Sequence, residues 1–308
     1  MSPSHRNKSA AANALLITPR LLRAWPLPRP DEAGDKETRG RVLVVGGSAE
    51  MPGAVVLAAT AAARAGAGKL QIATCQSVAA HIAVAVPEAR VFALPETRTG
   101  ALAASGVERI SEHINEARGV LVGPGMLDEG PIARCLKKLL AHVHSSSVLV
   151  LDANALTLLA RAPESLRQLR GRVVLTPHAE EMGELLNCDK ATVERARTEA
   201  LRKAVVRFNA VVLLKGRETL IAAPGSRVYV NRAGNIGLAT SGSGDTLAGL
   251  IVGLAARGAA PLQAAVYGVY LHARAGELLA KRHGLLGYLA RELSDEVPAL
   301  MDRLCERR

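Results

Sequence analysis

The sequence predicts an α/β fold, a mainly parallel central sheet with helices on both faces, giving a three-layer α/β/α arrangement. Three observations lead there. From Arg41 onwards, apolar runs of strand length alternate with longer Ala- and Leu-rich stretches of helix length, the rhythm of parallel strands joined by crossover helices. The short runs are continuously apolar, as strands covered on both faces should be. Five of them end on glycine or a functional polar group, and in an open parallel sheet all such ends fall on one carboxyl edge, where ligands bind.

Residues 1 to about 38 are rich in proline and charge, with Pro26, Pro28, Pro30, Asp31 and Glu32. They read as a largely irregular extension with at most one short helix near residues 11–17. Their composition offers no core-forming period, so deletion of residues 1 to about 36 is expected to leave the fold intact. Residues 39–308 then form one catalytic domain.

The strand candidates in order are Val42–Val45, followed by Gly46-Gly47-Ser48; Leu70–Thr74; Val120–Val122, followed by Gly123-Pro124-Gly125; Val148–Leu151, followed by Asp152-Ala153-Asn154; Val173–Leu175, followed by Thr176-Pro177-His178; and Val211–Leu214, followed by Lys215-Gly216. Two further runs, 219–222 and 227–230, flank Pro224-Gly225 and predict an antiparallel hairpin at one edge of the sheet.

Of the 308 residues, 49% are hydrophobic and only 2% aromatic, so the core is aliphatic and a stacking surface for single-stranded nucleic acid is not expected. The net charge of +11 favours an anionic partner. The basic residues are spread along the chain without a long run, which points to a solvated surface and phosphorylated small molecules rather than nucleic acid. Cys75, Cys135, Cys188 and Cys305 are far apart and form no Cys-x-x-Cys pair, which argues against a zinc site or a disulfide framework and fits a reducing compartment. No apolar stretch reaches the ~18 residues of a membrane span, and no secretory signal is visible at the start. A cytoplasmic protein is expected.

The sharpest local signal is Thr240-Ser241-Gly242-Ser243-Gly244-Asp245-Thr246. Leu247, Leu250, Ile251 and Leu254 follow at the spacing of a buried helical stripe, which places the glycines at a helix N-terminus. Free N–H groups and the positive end of the helix dipole attract anions there. A carboxylate beside an anion site is electrostatically costly unless it takes part in the chemistry; the alternative is a plain helix cap. Two similar segments do not qualify. Gly66-Ala67-Gly68-Lys69 lacks the Ser/Thr of a P-loop and lies between a helix and a strand, which reads as a helix C-cap. The spacing from Gly46-Gly47-Ser48 to Gly53 does not match a dinucleotide fingerprint.

These residues resemble the ribokinase-like superfamily, whose members place a Gly-x-Gly-Asp turn at the start of a helix. Within it, the chain from about Gly40 to Leu300 is similar to the ADP-dependent NAD(P)H-hydrate dehydratases. Gly46-Gly47-Ser48 with Gly53-Ala54, Gly123-Pro124-Gly125, Asp152-Ala153-Asn154-Ala155-Leu156, Leu175-Thr176-Pro177-His178 with Glu181, Lys215-Gly216 with Thr219, Asn231 with Gly234-Asn235, and the Gly242 turn occur in the family's order. Departures are Met51, where the family often has an aromatic residue, Leu127 and Ser241 in place of glycines, and Arg291-Glu292 in place of a small residue and aspartate.

The resemblance implies phosphoryl transfer from ADP to the hydroxyl of hydrated NADH or NADPH, elimination of phosphate and release of AMP. Asp245 would take the hydroxyl proton, with the Gly242 and Gly244 amides stabilising the transferring group. The resemblance places Ala54, Gly125, His178 and Asp245 on the substrate. It places Lys215, Gly216, Arg217, Glu218, Thr219 and Gly244 on the nucleotide. Mg²⁺ would neutralise the donor phosphates, with Glu181 orienting the metal or its waters, or merely capping a helix. A homo-oligomer, a tetramer by the same resemblance, is expected, and no membrane or nucleic-acid partner. The competing readings are a small-molecule kinase for a vitamin precursor and a non-catalytic nucleotide-binding protein.

Overall fold

The computed structural model describes residues 14–29, 35–127 and 129–305. The strands are β1 (Ala14–Leu16), β2 (Arg41–Val45), β3 (Lys69–Cys75), β4 (Ala89–Leu94), β5 (Gly119–Val122), β6 (Val148–Leu151), β7 (Val173–Leu175), β8 (Val211–Leu214), β9 (Thr219–Ala222) and β10 (Val228–Asn231). They form one sheet in the order β1-β10-β9-β8-β7-β6-β5-β2-β3-β4. Within it only β9 runs against its neighbours.

Alternate residues of the central strands feed two aliphatic cores. Val42 and Val44 of β2 join one with the helices Gly53–Arg64, Ser243–Ala256 and Pro261–His283, whereas Leu43 and Val45 join the other with Glu129–His142, Ala179–Leu186 and Arg197–Phe208. These are the three expected layers. The helix Ser243–Ala256 is buried from Thr246 to Ala256, not only along the predicted stripe. It is sandwiched between the sheet and two neighbouring helices, so its outer face is covered as well. Gly66 and Ala67 close the helix Gly53–Arg64 with bonds to the Ala63 and Ala62 carbonyls, as a C-cap should.

Residues 14–29 are not the irregular extension that was expected. The stretch around 14–16 is a strand, not a helix, and it pairs in parallel with β10. The predicted hairpin β9–β10 is therefore not at the edge of the sheet. Thr18 caps a short helix, Pro19–Arg23. Ile17, Leu22 and Leu27 are buried in the first core. Tyr267 donates to the Leu22 carbonyl (2.6 Å), Gln263 to those of Trp25 and Pro26, and Arg257 to that of Pro28 (3.1 Å). Two of the prolines that suggested a loose tail, Pro26 and Pro28, instead supply carbonyls to Gln263 and Arg257. The remainder of the predicted extension, 1–13 and 30–34, lies outside the described residues. No helix among the described residues is long and apolar enough to cross a membrane.

Candidate active site

The strand order reverses between β5 and β2, so the loops that leave these two strands part company and open a crevice at the carboxyl edge. The loop after β2 and the loop after β5 line it together, since Gly47 N–H donates to the Pro124 carbonyl (2.7 Å). Gly125 has φ +65°; a Cβ there would collide with the Met51 carbonyl oxygen and stand 2.9 Å from Ala54 Cβ. Only glycine fits both this backbone and this space. Ala54 and Gly125, predicted from separate motifs, are thus in contact.

Ala54 lies at the start of the helix Gly53–Arg64, and Leu57 of the same helix packs under the Gly242 turn. Gly242 is left-handed, φ +84°, and is the N-cap of Ser243–Ala256 with no side-chain cap. Ser243 N–H is committed to the Thr240 carbonyl (3.2 Å) and Thr246 N–H to that of Gly242. Among the described residues, the Gly242 and Gly244 amides have no acceptor. They are free for an anion.

A polar cluster faces this turn. Asp152, buried at the end of β6, accepts from Thr176 Oγ1 (2.6 Å) and from Lys215 Nζ (3.2 Å). Lys215 Nζ also lies 3.7 Å from Glu181 Oε2. A Cβ built on Gly244 would be 3.7 Å from Lys215 Nζ and 3.9 Å from Asp152 Oδ2. The ends of β6, β7 and β8 therefore meet the helix N-terminus at one point.

Burial and the neighbouring charge of Asp152 push the Asp245 carboxyl up to about 7, against the opposing pull of Lys215. Burial alone would lower the Lys215 ammonium, but the Asp152 and Glu181 carboxylates outweigh it and hold Lys215 above its ordinary value. The cluster thus holds a firmly charged cation beside a carboxyl poised near neutrality, the separation of roles that acid–base chemistry needs.

His178 and Glu181 have structural work as well. His178 Nδ1 accepts from the Glu180 and Glu181 amides, 3.2 Å each, and Glu181 Oε2 accepts from His178 N–H (2.7 Å). This is a reciprocal cap on the helix Ala179–Leu186. Because Nδ1 accepts, the hydrogen of a neutral ring sits on Nε2 of this half-exposed side chain. Among the described residues no three His, Cys, Asp or Glu side chains gather as a metal group. Glu181 stands across Lys215 from Asp152.

Of the predicted nucleotide strip, Lys215 enters the cluster and Thr219 opens β9 opposite Asn231. Gly216, Arg217 and Glu218 are exposed, and Glu218 pairs with Arg232 (2.8 Å). Sequence reasoning missed four contributors. Asp152 and Thr176 stood in the strand-end motifs without a role. Arg197, on a distant helix, donates to the carbonyls of Leu214, Lys215 and Glu218 and shapes the strip from below. His272, buried on Pro261–His283, lies 3.0 Å from both Ser243 Oγ and the Ser243 carbonyl. Strand-end position placed the first two on the carboxyl edge but gave them no task; nothing local marks the others.

The model of the NAD(P)H-hydrate dehydratase family matches residues 42–299. An ADP-dependent (S)-NAD(P)H-hydrate dehydratase of Xanthomonas campestris is 48% identical over 288 residues, covering 94% of this chain and 96% of that one. Among solved structures, a ribokinase-like superfamily protein from Enterococcus faecalis superposes with a TM-score of 0.83 at 25% identity, covering 95% of this chain and 96% of that one. The ADP/ATP-dependent NAD(P)H-hydrate dehydratase of Bacillus subtilis, co-crystallised with ATP/Mg²⁺, superposes with a TM-score of 0.79 at 30% identity, covering 95% and 99%. The chain spans about half the length of the bifunctional NAD(P)H-hydrate repair enzymes it also matches. With the crevice, the Gly242 turn and these likenesses in agreement, the chain belongs to the NAD(P)H-hydrate dehydratase family and has its ribokinase-like fold.

Proposed function

We propose that the protein uses ADP to dehydrate (6S)-NADHX and NADPHX, the hydrated forms of NADH and NADPH, and so restores the cofactors. The observation that carries this reading is Asp245, a partly buried carboxyl pushed up to about 7, beside the free amides of a helix N-terminus and the charged Lys215. Hydroxide is a poor leaving group and phosphate a good one, so a site built for phosphoryl transfer can drive a dehydration.

The Asp245 carboxylate takes the hydroxyl proton as the hydrate oxygen attacks the terminal phosphorus of ADP. That bond forms as the phosphorus–oxygen bond to AMP breaks. Phosphate then leaves with the electron pair of its carbon–oxygen bond, and loss of a proton from the adjacent ring carbon restores the double bond. The Gly242 and Gly244 amides and the Lys215 ammonium bear on the charge of the transferring group. Ala54 and Gly125 form the floor on which the hydrated ring would lie, and His178 Nε2–H is a donor at its rim. The strip Lys215, Gly216, Arg217, Glu218 and Thr219 would hold the nucleotide.

Glu181 and Asp152 are hard oxygen donors, the one or two carboxylates with which Mg²⁺ is held alongside substrate phosphates. Bound there, Mg²⁺ would supply neutralising charge to the donor phosphates. The enzyme works in this proposal as a cytoplasmic homotetramer, an assembly that sedimentation measures directly.

The test supplies hydrated NADH with ADP, ATP or no nucleotide and follows reduced-nicotinamide absorbance together with nucleotide products. Recovery of absorbance with AMP formed from ADP supports the reading. A stable phosphorylated product without recovered absorbance assigns the site to a small-molecule kinase.

A further inference from the structure

The His272–Ser243 pair lies outside every motif that identified the site, yet it grips the turn that carries Asp245. His272 Nε2 stands 3.0 Å from the Ser243 carbonyl oxygen and 3.0 Å from Ser243 Oγ. A carbonyl oxygen can only accept. In a neutral ring the Nε2 nitrogen must therefore carry the hydrogen, and it donates to both oxygens. The ring is neutral at cellular pH, because burial drives His272 down to about 4, against the upward pull of its bond to the Ser243 carbonyl and with the Lys215 charge lowering it further. Both side chains are buried, so water does not compete for these bonds.

Ser243 is the first residue of the helix Ser243–Ala256, between the two glycines whose amides are free, and two residues before Asp245. Its N–H already donates to Thr240. With the carbonyl and the hydroxyl oxygen both engaged by His272, every polar atom of Ser243 has a fixed partner. Once its oxygen accepts from the ring, the hydroxyl hydrogen has no other acceptor among the described residues.

We infer that His272 is a positioning residue for the catalytic turn: through a neutral Nε2–H imidazole it clamps Ser243, sets the Gly242, Gly244 and Asp245 backbone in its reactive geometry, and directs the Ser243 hydroxyl hydrogen towards the transferring phosphoryl group. This inference rests on the phosphoryl-transfer reading of the site. Misplacement of about 1 Å at a reacting group costs roughly 10²-fold in rate, so the effect belongs in kcat more than in binding.

The test compares H272L, which keeps bulk and removes the donor, with H272Q, whose amide N–H can take the place of Nε2–H, and with S243A. H272L is expected to lose about 10–100-fold in kcat with ADP KM within a few-fold of the parent, and H272Q to recover most of that loss. S243A is expected to lower kcat less than H272L and to leave the melting temperature within a few degrees. Nitrogen NMR of the full chain, which needs no turnover, is expected to show His272 protonated at Nε2 alone and not titrating near neutrality. An Nδ1–H tautomer, a parental kcat in H272L, or equal loss in H272Q and H272L would overturn the inference. If the parent restores no reduced nicotinamide, the dehydratase reading fails, while the tautomer measurement still decides the clamp.

Discussion

Ionising Asp245 places a negative charge in a partly buried site that already holds the carboxylate of Asp152, and this explains its raised value of about 7. The group therefore keeps its proton in the folded chain at pH values where the unfolded chain has lost it. Folding stability then falls as pH rises from the ordinary carboxylate value to about 7, and the penalty is complete above that. D245N removes the penalty, so relative to the parent its melting temperature is expected to gain more near pH 8 than near pH 5. Asparagine is nearly isosteric but accepts no proton, so turnover is expected to fall about 10²–10⁴-fold. ADP affinity should hold or rise, since a negative charge near its phosphates is gone. Steady-state kinetics and calorimetry on one preparation check both statements. The neighbours tune the same group in opposite directions. Because Asp152 raises it and Lys215 lowers it, the ascending limb of the pH–kcat/KM profile is expected to move to lower pH in D152N and to higher pH in K215M. Limbs that stay in place would show that the limb reports another group.

At the scale of elements, the N-terminal strand and short helix are integral to the sheet edge. Removing residues 1–29 strips Ile17, Leu22 and Leu27 from the first core, uncovers β10, and leaves Tyr267 and Gln263 without their acceptors. Buried aliphatic side chains contribute about 1.5–3 kcal/mol each, so the truncated protein is expected to melt well below the parent or to lose solubility, as thermal denaturation will show. Gly216→Val acts at one remove. A Cβ at this position would meet the Arg197 guanidinium at 2.6 Å, so the substitution is expected to displace the side chain that holds the 214–218 carbonyls and to weaken ADP binding through the shape of the strip. The strands β2, β3 and β5 to β8 were legible because a strand covered on both faces is a largely apolar run, and β9 and β10 because Pro224-Gly225 marks the turn between them. β4 was not, because it is an edge strand with only its last residue, Leu94, buried. β1 has three residues and owes its existence to pairing with β10, which the sequence does not display. The same reason separates the legible part of the site from the rest. Asp245, Gly242, Lys215 and His178 stand at strand ends or helix starts and are marked by position. Arg197 opens its helix but acts on the carbonyls of a strand end distant in sequence, and His272 is buried within a helix, where a polar side chain looks like any other interruption of an apolar pattern.

In the whole molecule, the sheet order sends the helices after β2 and β5 to opposite faces at the reversal, keeps their two loops in contact, and gathers the ends of β6, β7 and β8 beside the Gly242 turn. One crevice thereby faces two kinds of surface, a small-residue floor at Ala54 and Gly125 and a charged wall at Asp152, Lys215 and Glu181. The arrangement suits a reaction in which an apolar ring is held still while phosphate is moved onto and off its hydroxyl. The measurement that tests this most directly follows the hydroxyl oxygen itself. Hydrated NADH labelled with heavy oxygen at its hydroxyl group is turned over with unlabelled ADP, and the inorganic phosphate released is analysed by mass spectrometry. Transfer followed by elimination predicts that the label leaves in phosphate, one labelled oxygen for each NADH restored. Restored NADH with the label in water and none in phosphate would mean that the hydroxyl departs without being phosphorylated, and the role assigned to Asp245 and the Gly242 turn would be contradicted.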